Sequence, residues 1–183
     1  VHALEAALRG LNSRHDPSGT GSGAAQPGSL FRVFFGLSNV QLQELIAAHS
    51  HRTLGLNLPQ EIVRVTGGPY QLLLLEMLKC RQDAPYAPSR AVGNGAARAA
   101  AVQAEKLSKE VQKLRRVLSS SEASLSEADR ARHCVDFFVN RSVETIRAAE
   151  GEYALRFEHT LEHDLNGTFH GLFLECILAL LER

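Results

Sequence analysis

Apolar residues recur at intervals of three and four along most of the chain, the spacing of amphipathic helices. "VHALEAALRGL" puts Val1, Leu4, Leu8 and Leu11 on one stripe, and "NVQLQELIAAHS" does the same with Leu42, Leu45, Ile46 and His49. "LFRVFFGL" predicts a short apolar helix, Ser38 or Asn39 a cap for the next, and "PQEIVRV" a further short helix with Pro59 in its first turn. Thr66-Gly67-Gly68-Pro69 breaks that helix, and "YQLLLLEMLKC" follows, apolar on nearly every side. The segment 81–97, "RQDAPYAPSRAVGNGAA", is rich in Pro and Gly and reads as a linker. Beyond it the order repeats. A long helix carries a seam of Ala100, Ala104, Leu107, Val111, Leu114 and Leu118. Ser126 and Asp129 form a variant capping box before "ADRARHCVDFFVN". "SVETIRAAEGEYALRF", "EHTLEHD" and "DLNGTFHGLFLECILALL" complete the set.

Two stretches look like copies. Offset by 99 positions, Gly68 meets Gly167, Tyr70 meets Phe169, Leu73 meets Leu172 and Glu76 meets Glu175. On this alignment Asn166-Gly167 is a turn between helices, and its glycine reverses the chain at positive φ ahead of an apolar closing helix. A helix so apolar belongs at the centre of its bundle. No hairpin signal competes, so the expected fold is all-α. It comprises two five-helix repeats, 1–80 and 98–183, joined by the 81–97 linker.

A chain of 183 residues is long enough for one domain or two small modules with real cores. Lys plus Arg equals Asp plus Glu, 20 each, which argues against a dedicated nucleic-acid binder. Cys80, Cys134 and Cys176 are far apart and form no CxxC pair, so they read as buried, reduced thiols of a cytosolic protein. No apolar run is long enough to span a bilayer. The chain begins with Val1 and periodicity starts at once, which suggests a piece of a longer protein without a signal peptide. The Gly/Ser-rich stretch 18–29 lacks the Lys-Ser/Thr ending of a P-loop and reads as a surface loop. No nucleophile and base share a motif, so no enzymatic activity is expected.

Three groups bear on binding. Lys106, Lys109, Lys113 and Arg116 form a basic stripe on the long helix, with Glu105 and Glu110 interspersed. It is either a solvated face or a contact for anionic lipid. "HTLEH" sets His159 and His163 four apart on one helix face, a spacing compatible with zinc, but with no evident third ligand. Asp164 stands three residues before Gly167, either as a cation ligand or as a cap or partner within the turn.

The order of motifs resembles the annexin family. "FFVNRSVETIRAAEGEY" is similar to the second and third helices of an annexin repeat, through Arg141-Ser142, Ile146 and Tyr153. "FFGLSNVQLQELIAAH" keeps Ser38 and Leu42 but has Leu37 for the Arg and His49 for the Tyr. "DLNGTFHGLFLECILALL" resembles the family's acid, turn glycine and closing helix, and "RQDAPY" its connection between the second and third of four repeats. The resemblance implies membrane-facing calcium sites, built from carbonyls of a glycine-rich loop and a distant carboxylate, with lipid phosphate filling the open positions. In the second repeat it implies Asp164 with Ser124, Ser126 and Ala128, a weak set because the loop has no glycine. In the first, the loop falls on Leu8, Gly10 and Asn12 and the acidic position on Val65, so that site is lost. The implied function is a peripheral phospholipid-binding or membrane-scaffold module, cytoplasmic, at membranes or cytoskeleton, with weak or lost calcium dependence. Anionic phospholipid surfaces, a protein partner or further annexin repeats are its expected partners, and nucleic acid is not. The alternative is a protein-interaction module that kept the helical fold and lost lipid and calcium binding.

Overall fold

A computed structural model describes residues 2–12, 28–53, 57–79, 94–119 and 125–182. Its described residues form α-helices and no strand, and the chain divides into two compact units, Val1–Arg81 and Gln82–Arg183.

The first unit contains α1 (His2–Asn12), α2 (Ser29–Phe35), α3 (Asn39–Arg52), α4 (Leu58–Val65) and α5 (Gly68–Met77). α3, α4 and α5 begin where local chemistry satisfies or tolerates orphan backbone donors. Ser38 caps α3 in a full capping box: its hydroxyl accepts from the Gln41 N–H at 3.3 Å, and its own N–H donates to Gln41 Oε1 at 2.9 Å. Proline early in α4 and in α5 removes a donor that would have no partner. The sharp turn between those helices needs Gly68 at φ 58° and is clamped by Gln71, whose side-chain amide donates to the Thr66 carbonyl at 2.7 Å. Leu4, Leu30, Phe34, Leu58, Ile62, Leu73 and Leu74 fill the core where α1 meets α2 and α4, and α5 meets α2 and α4. The Phe31 N–H donates to the Tyr70 hydroxyl at 3.3 Å, tying α2 to α5.

The second unit repeats the order with α6 (Asn94–Leu118), α7 (Glu127–Asn140), α8 (Val143–Arg156), α9 (Leu161–Thr168) and α10 (Gly171–Leu181). Ser126, Ser142 and Thr160 cap α7, α8 and α9, each accepting from the N–H three residues on. Asp129 takes a hydrogen bond from the Ser126 hydroxyl at 2.7 Å. α6 packs on α7, α8 and α9, and α10 packs on the same three helices from its own side. Phe138, Tyr153, Leu161, Leu165, Phe169 and Ile177 are buried between them.

Several expectations need correction. Leu8, Gly10 and Asn12 do not form a loop: they lie in the last turns of α1, and Leu8 is buried. The turn glycine of the second unit is not Gly167, which lies inside α9, but Gly171, at φ 65°. The helical register continues through Asn166-Gly167 because the Thr168 hydroxyl reaches back to the Asp164 carbonyl at 2.8 Å and holds the last turn. The repeats therefore align Gly68 with Gly171, four residues beyond the alignment drawn from sequence. The closing helices are not enclosed all round: α10 buries Phe173, Cys176, Ile177, Leu180 and Leu181 while Glu175 is exposed. Along the α6 seam Leu107, Val111, Leu114 and Leu118 are buried but Ala104 is exposed. Cys80 and Ser124 lie outside the described residues, as do 81–93 of the linker.

Candidate functional site

The second unit is pinned by a polar cluster at the meeting of three helices. Asp164 sits in the first turn of α9, Tyr153 near the end of α8 and Arg115 in the last turn of α6. One carboxylate oxygen, Asp164 Oδ2, accepts from both the Tyr153 hydroxyl and the Arg115 guanidinium. The Asp164 side chain is 11% exposed, that of Arg115 30%, and Tyr153 is fully buried. Arg115 also lies over the Phe157 ring, 5.6 Å from its centre, and the Thr168 hydroxyl lies 3.0 Å from the Leu118 carbonyl. Burial, followed by the neighbouring Asp164 carboxylate, pushes the Tyr153 hydroxyl well above the usual phenol range. The Arg115 pKa is raised by the hydrogen bonds with Tyr153 and Asp164, against the opposing effect of burial. Together the three side chains form a charge-assisted latch between α6, α8 and α9.

The first unit makes the same joint with other residues. His49 of α3 is buried, and its Nε2 stands 3.0 Å from Glu61 Oε2 of α4. The approach is short, but it is not aligned as a hydrogen bond, and Nδ1 has no partner either. Arg52 meets Glu5 at 3.2 Å and joins α3 to α1.

Lys106, Lys109, Lys113 and Arg116 are all exposed on α6, away from the seam that faces α7 to α9. Lys109 pairs with Glu105 at 2.7 Å on open surface, where such a pair contributes little. Glu110 is engaged elsewhere: Arg141 holds it through Nη2 at 2.9 Å and Nε at 3.2 Å. This bidentate bridge borders a cavity of about 120 Å³ between α6 and α7, floored by Leu114, Val117 and Phe137. Arg115 and the Arg141–Glu110 bridge were missed from sequence. The one available signal was that Arg115 follows Leu114 on the buried edge of the seam, unlike the lysines.

A scan of protein-family models and a search of curated protein sequences return no match. Solved structures do match. A mutant of annexin A8 with an intact N-terminus superposes with a TM-score of 0.68 at 16% identity, over 98% of this chain and 49% of its own. Annexin III gives 0.66 at 17% identity, over 97% and 48%. Chicken annexin V in complex with Zn2+ gives 0.65 at 17% identity, over 98% and 49%. The fold is the annexin fold. The chain spans about half the length of these annexins, which accords with two five-helix repeats.

An annexin fold raises the question of calcium, since one matching structure is a calcium-bound annexin. The described members of the donor set implied by the resemblance, Asp164, Ser126 and Ala128, do not fit the ion. Asp164 is turned inward to Arg115 and Tyr153, so its charge is already countered by a guanidinium. Ser126 is committed to capping α7, and Ala128 lies within that helix's first turn. With Gly171 as the turn glycine, the position three residues before it is Thr168, whose hydroxyl serves two carbonyls. Its counterpart before Gly68 is Val65, which has no oxygen in its side chain. Among the described residues no group of three or more His, Cys, Asp and Glu is placed to hold a metal.

Proposed function

We propose that this protein is an annexin-type module that binds anionic phospholipid surfaces peripherally and without calcium, through the exposed basic face of α6. The observation that carries the proposal is that Lys106, Lys109, Lys113 and Arg116 are solvent-exposed together on one helix, α6, whose opposite side is buried in the unit from Leu107 to Leu118. No described helix is long and apolar enough to cross a membrane, so contact through surface charge is the mode these residues favour. A basic residue near an anionic bilayer contributes about 1 kcal/mol. Discounting Lys109 for Glu105 leaves about three effective charges, roughly a hundredfold preference for an anionic over a neutral surface. The attraction falls with salt as the Debye length shrinks to about 8 Å at physiological ionic strength. Sites are cytoplasmic membrane surfaces, and cytoskeletal scaffolding there is compatible with the same face.

The second reading is a protein-interaction module with no lipid affinity, and the misfit of the calcium donor set favours it. Sedimentation with phosphatidylserine vesicles separates the two. We expect binding that is equal in calcium and in chelator, falls with salt, and drops about tenfold or more on Lys109→Glu/Lys113→Glu. No sedimentation at low salt, or binding indifferent to the double reversal, rejects the lipid reading.

A further inference from the structure

The histidines of "HTLEH" do not share a helix face: His159 lies in the connection after α8 and His163 in the first turn of α9, and their exposed rings stack at 4.7 Å instead of converging on an ion. The groove between α6 and α7 is a more complete site. One end of it is the Glu110–Arg141 bridge, and from there the lining steps away one helical turn at a time on both helices. On α6 it runs through Lys113 and Leu114 to Val117, and on α7 through Phe137 and Asp136 to His133. Leu114, Val117 and Phe137 are buried and make an apolar floor. Lys113 and Asp136 are exposed on opposite walls, and His133 is half-buried at the far end. The cavity, about 120 Å³, is close in size to one that takes a benzene ring, about 150 Å³.

The charges on this rim decide what it takes. Glu110 and Arg141 neutralise one another in their bidentate bridge. One cation and one anion are left. Asp136 accepts from the Asn140 amide at 3.0 Å, a neutral donor that leaves its charge in place, and among the described residues neither Asp136 nor Lys113 takes part in an ion pair. A simple anion at Lys113 meets Asp136 across the groove, and a simple cation at Asp136 meets Lys113, whereas a ligand carrying both charges meets neither conflict. We propose that the α6–α7 groove binds a free α-amino acid with an apolar side chain. Its carboxylate pairs with Lys113, its ammonium with Asp136, and its side chain lies on Leu114, Val117 and Phe137. Both polar contacts are charge-assisted hydrogen bonds, and the floor removes the side chain from water. Packed helix axes lie about 8–10 Å apart, and the flexible four-carbon stem of Lys113 lets its ammonium follow a carboxylate into that gap. The interior of a peptide has neither charge and a chain terminus has one of them, so the free amino acid is the occupant that uses the whole lining. Binding here requires no membrane, although Lys113 also belongs to the basic face of α6.

The test is titration of L-leucine into the 15N-labelled whole chain, followed by NMR, with N-acetyl-leucine, leucinamide and glycine as comparison ligands. These remove in turn the ammonium, the carboxylate and the apolar side chain. We expect saturable shifts at Leu114, Val117 and Phe137 with a Kd of about 10 mM or tighter for a ligand of this size. Each comparison ligand should bind about fivefold more weakly or worse. Lys113→Ala and Asp136→Ala should each weaken leucine by about fivefold or more, and in Asp136→Ala the penalty for N-acetylation should shrink to less than about twofold, because the ammonium has lost its partner. Both substitutions are at exposed positions, and far-UV circular dichroism checks that the fold is kept. Absence of saturable shifts in the wild-type chain, or shifts confined to other residues, overturns the inference. So does equal binding of leucine and N-acetyl-leucine, or leucine affinity unchanged in either variant.

Discussion

Replacing Asp164 with alanine removes the acceptor on which three helices converge. Tyr153, fully buried, loses the carboxylate to which its hydroxyl donates, and Arg115 loses its counter-charge. An unsatisfied buried hydroxyl costs about 1–3 kcal/mol. Stripping a partner from a buried ion pair costs about 3–5 kcal/mol, and Arg115, at 30% exposed, recovers much of that through water. The net expectation for Asp164→Ala is a loss of about 2–4 kcal/mol. At about 3 °C per kcal/mol for a chain of this length, the melting temperature falls by roughly 6–12 °C. Asp164→Asn keeps an acceptor for the tyrosine and should lose about 1–2 kcal/mol, and Tyr153→Phe about 1 kcal/mol. Urea unfolding followed by circular dichroism gives each value. The double mutant Asp164→Asn/Tyr153→Phe then measures the coupling, expected at about 0.5 kcal/mol or more for residues in contact. An Asp164→Ala variant within about 0.5 kcal/mol of wild type would refute the latch. So would a strictly additive pair. A calcium-dependent rise in stability that vanishes in Asp164→Ala would return the residue to the role of a ligand.

Two glycines four residues apart should respond with opposite signs. Gly171→Ala forces a side chain into φ 65° and costs about 1–2 kcal/mol, whereas Gly167→Ala, in the last turns of α9 with open space around its Cβ, gains up to about 1 kcal/mol; urea midpoints decide. The raised Tyr153 pKa makes its contribution complete below the unfolded value near pH 10 and progressively lost as pH rises beyond it. Stability measured from pH 8 to 11 should therefore fall less steeply in Tyr153→Phe. Burial pushes the Cys134 thiol up to about 12, and burial with Glu175 does the same for Cys176. Both should react with a thiol reagent at neutral pH only at the rate of unfolding, a result that faster labelling of the native protein would contradict.

The helices were legible because burial in this fold follows the 3.6-residue period: Leu4, Leu42, Leu107 and Val111 are predicted and found inside. Capping was legible too, since Ser38 and Ser126 precede their helices with a hydroxyl in reach of the first turn. The register of the second closing helix was not. Asn-Gly is a strong turn signal, and nothing local distinguishes Gly167 from Gly171. The difference shows in burial: Phe169, just after α9, is 1% exposed and packs edge-on against Phe173 of α10 at 5.0 Å, with the positive-φ turn at Gly171 between them. Arg115 was hidden among basic neighbours because its partner Asp164 is 49 residues away, and no local pattern encodes that contact.

The corrected register changes what the acid is for. In the first unit the carboxylate that faces α3 from α4 is Glu61, and in the second the one that faces α8 from α9 is Asp164. Both sit one helical turn upstream of the residues just ahead of the turn, Val65 and Thr168, where the resemblance would put a ligand. Both point to a residue of the preceding helix, His49 in one case and Tyr153 in the other. The acids are thus spent on the same internal joint in each unit, and the positions left near the turn carry a valine and a hydroxyl already bonded to carbonyls. The proposed recognition of anionic surfaces therefore draws on charge that the core does not use. On the described surface of the second unit, the exposed lysines of α6 are such charge, and Arg115, one residue from Arg116, marks where the inward-facing charge of that helix gives way to the outward-facing charge.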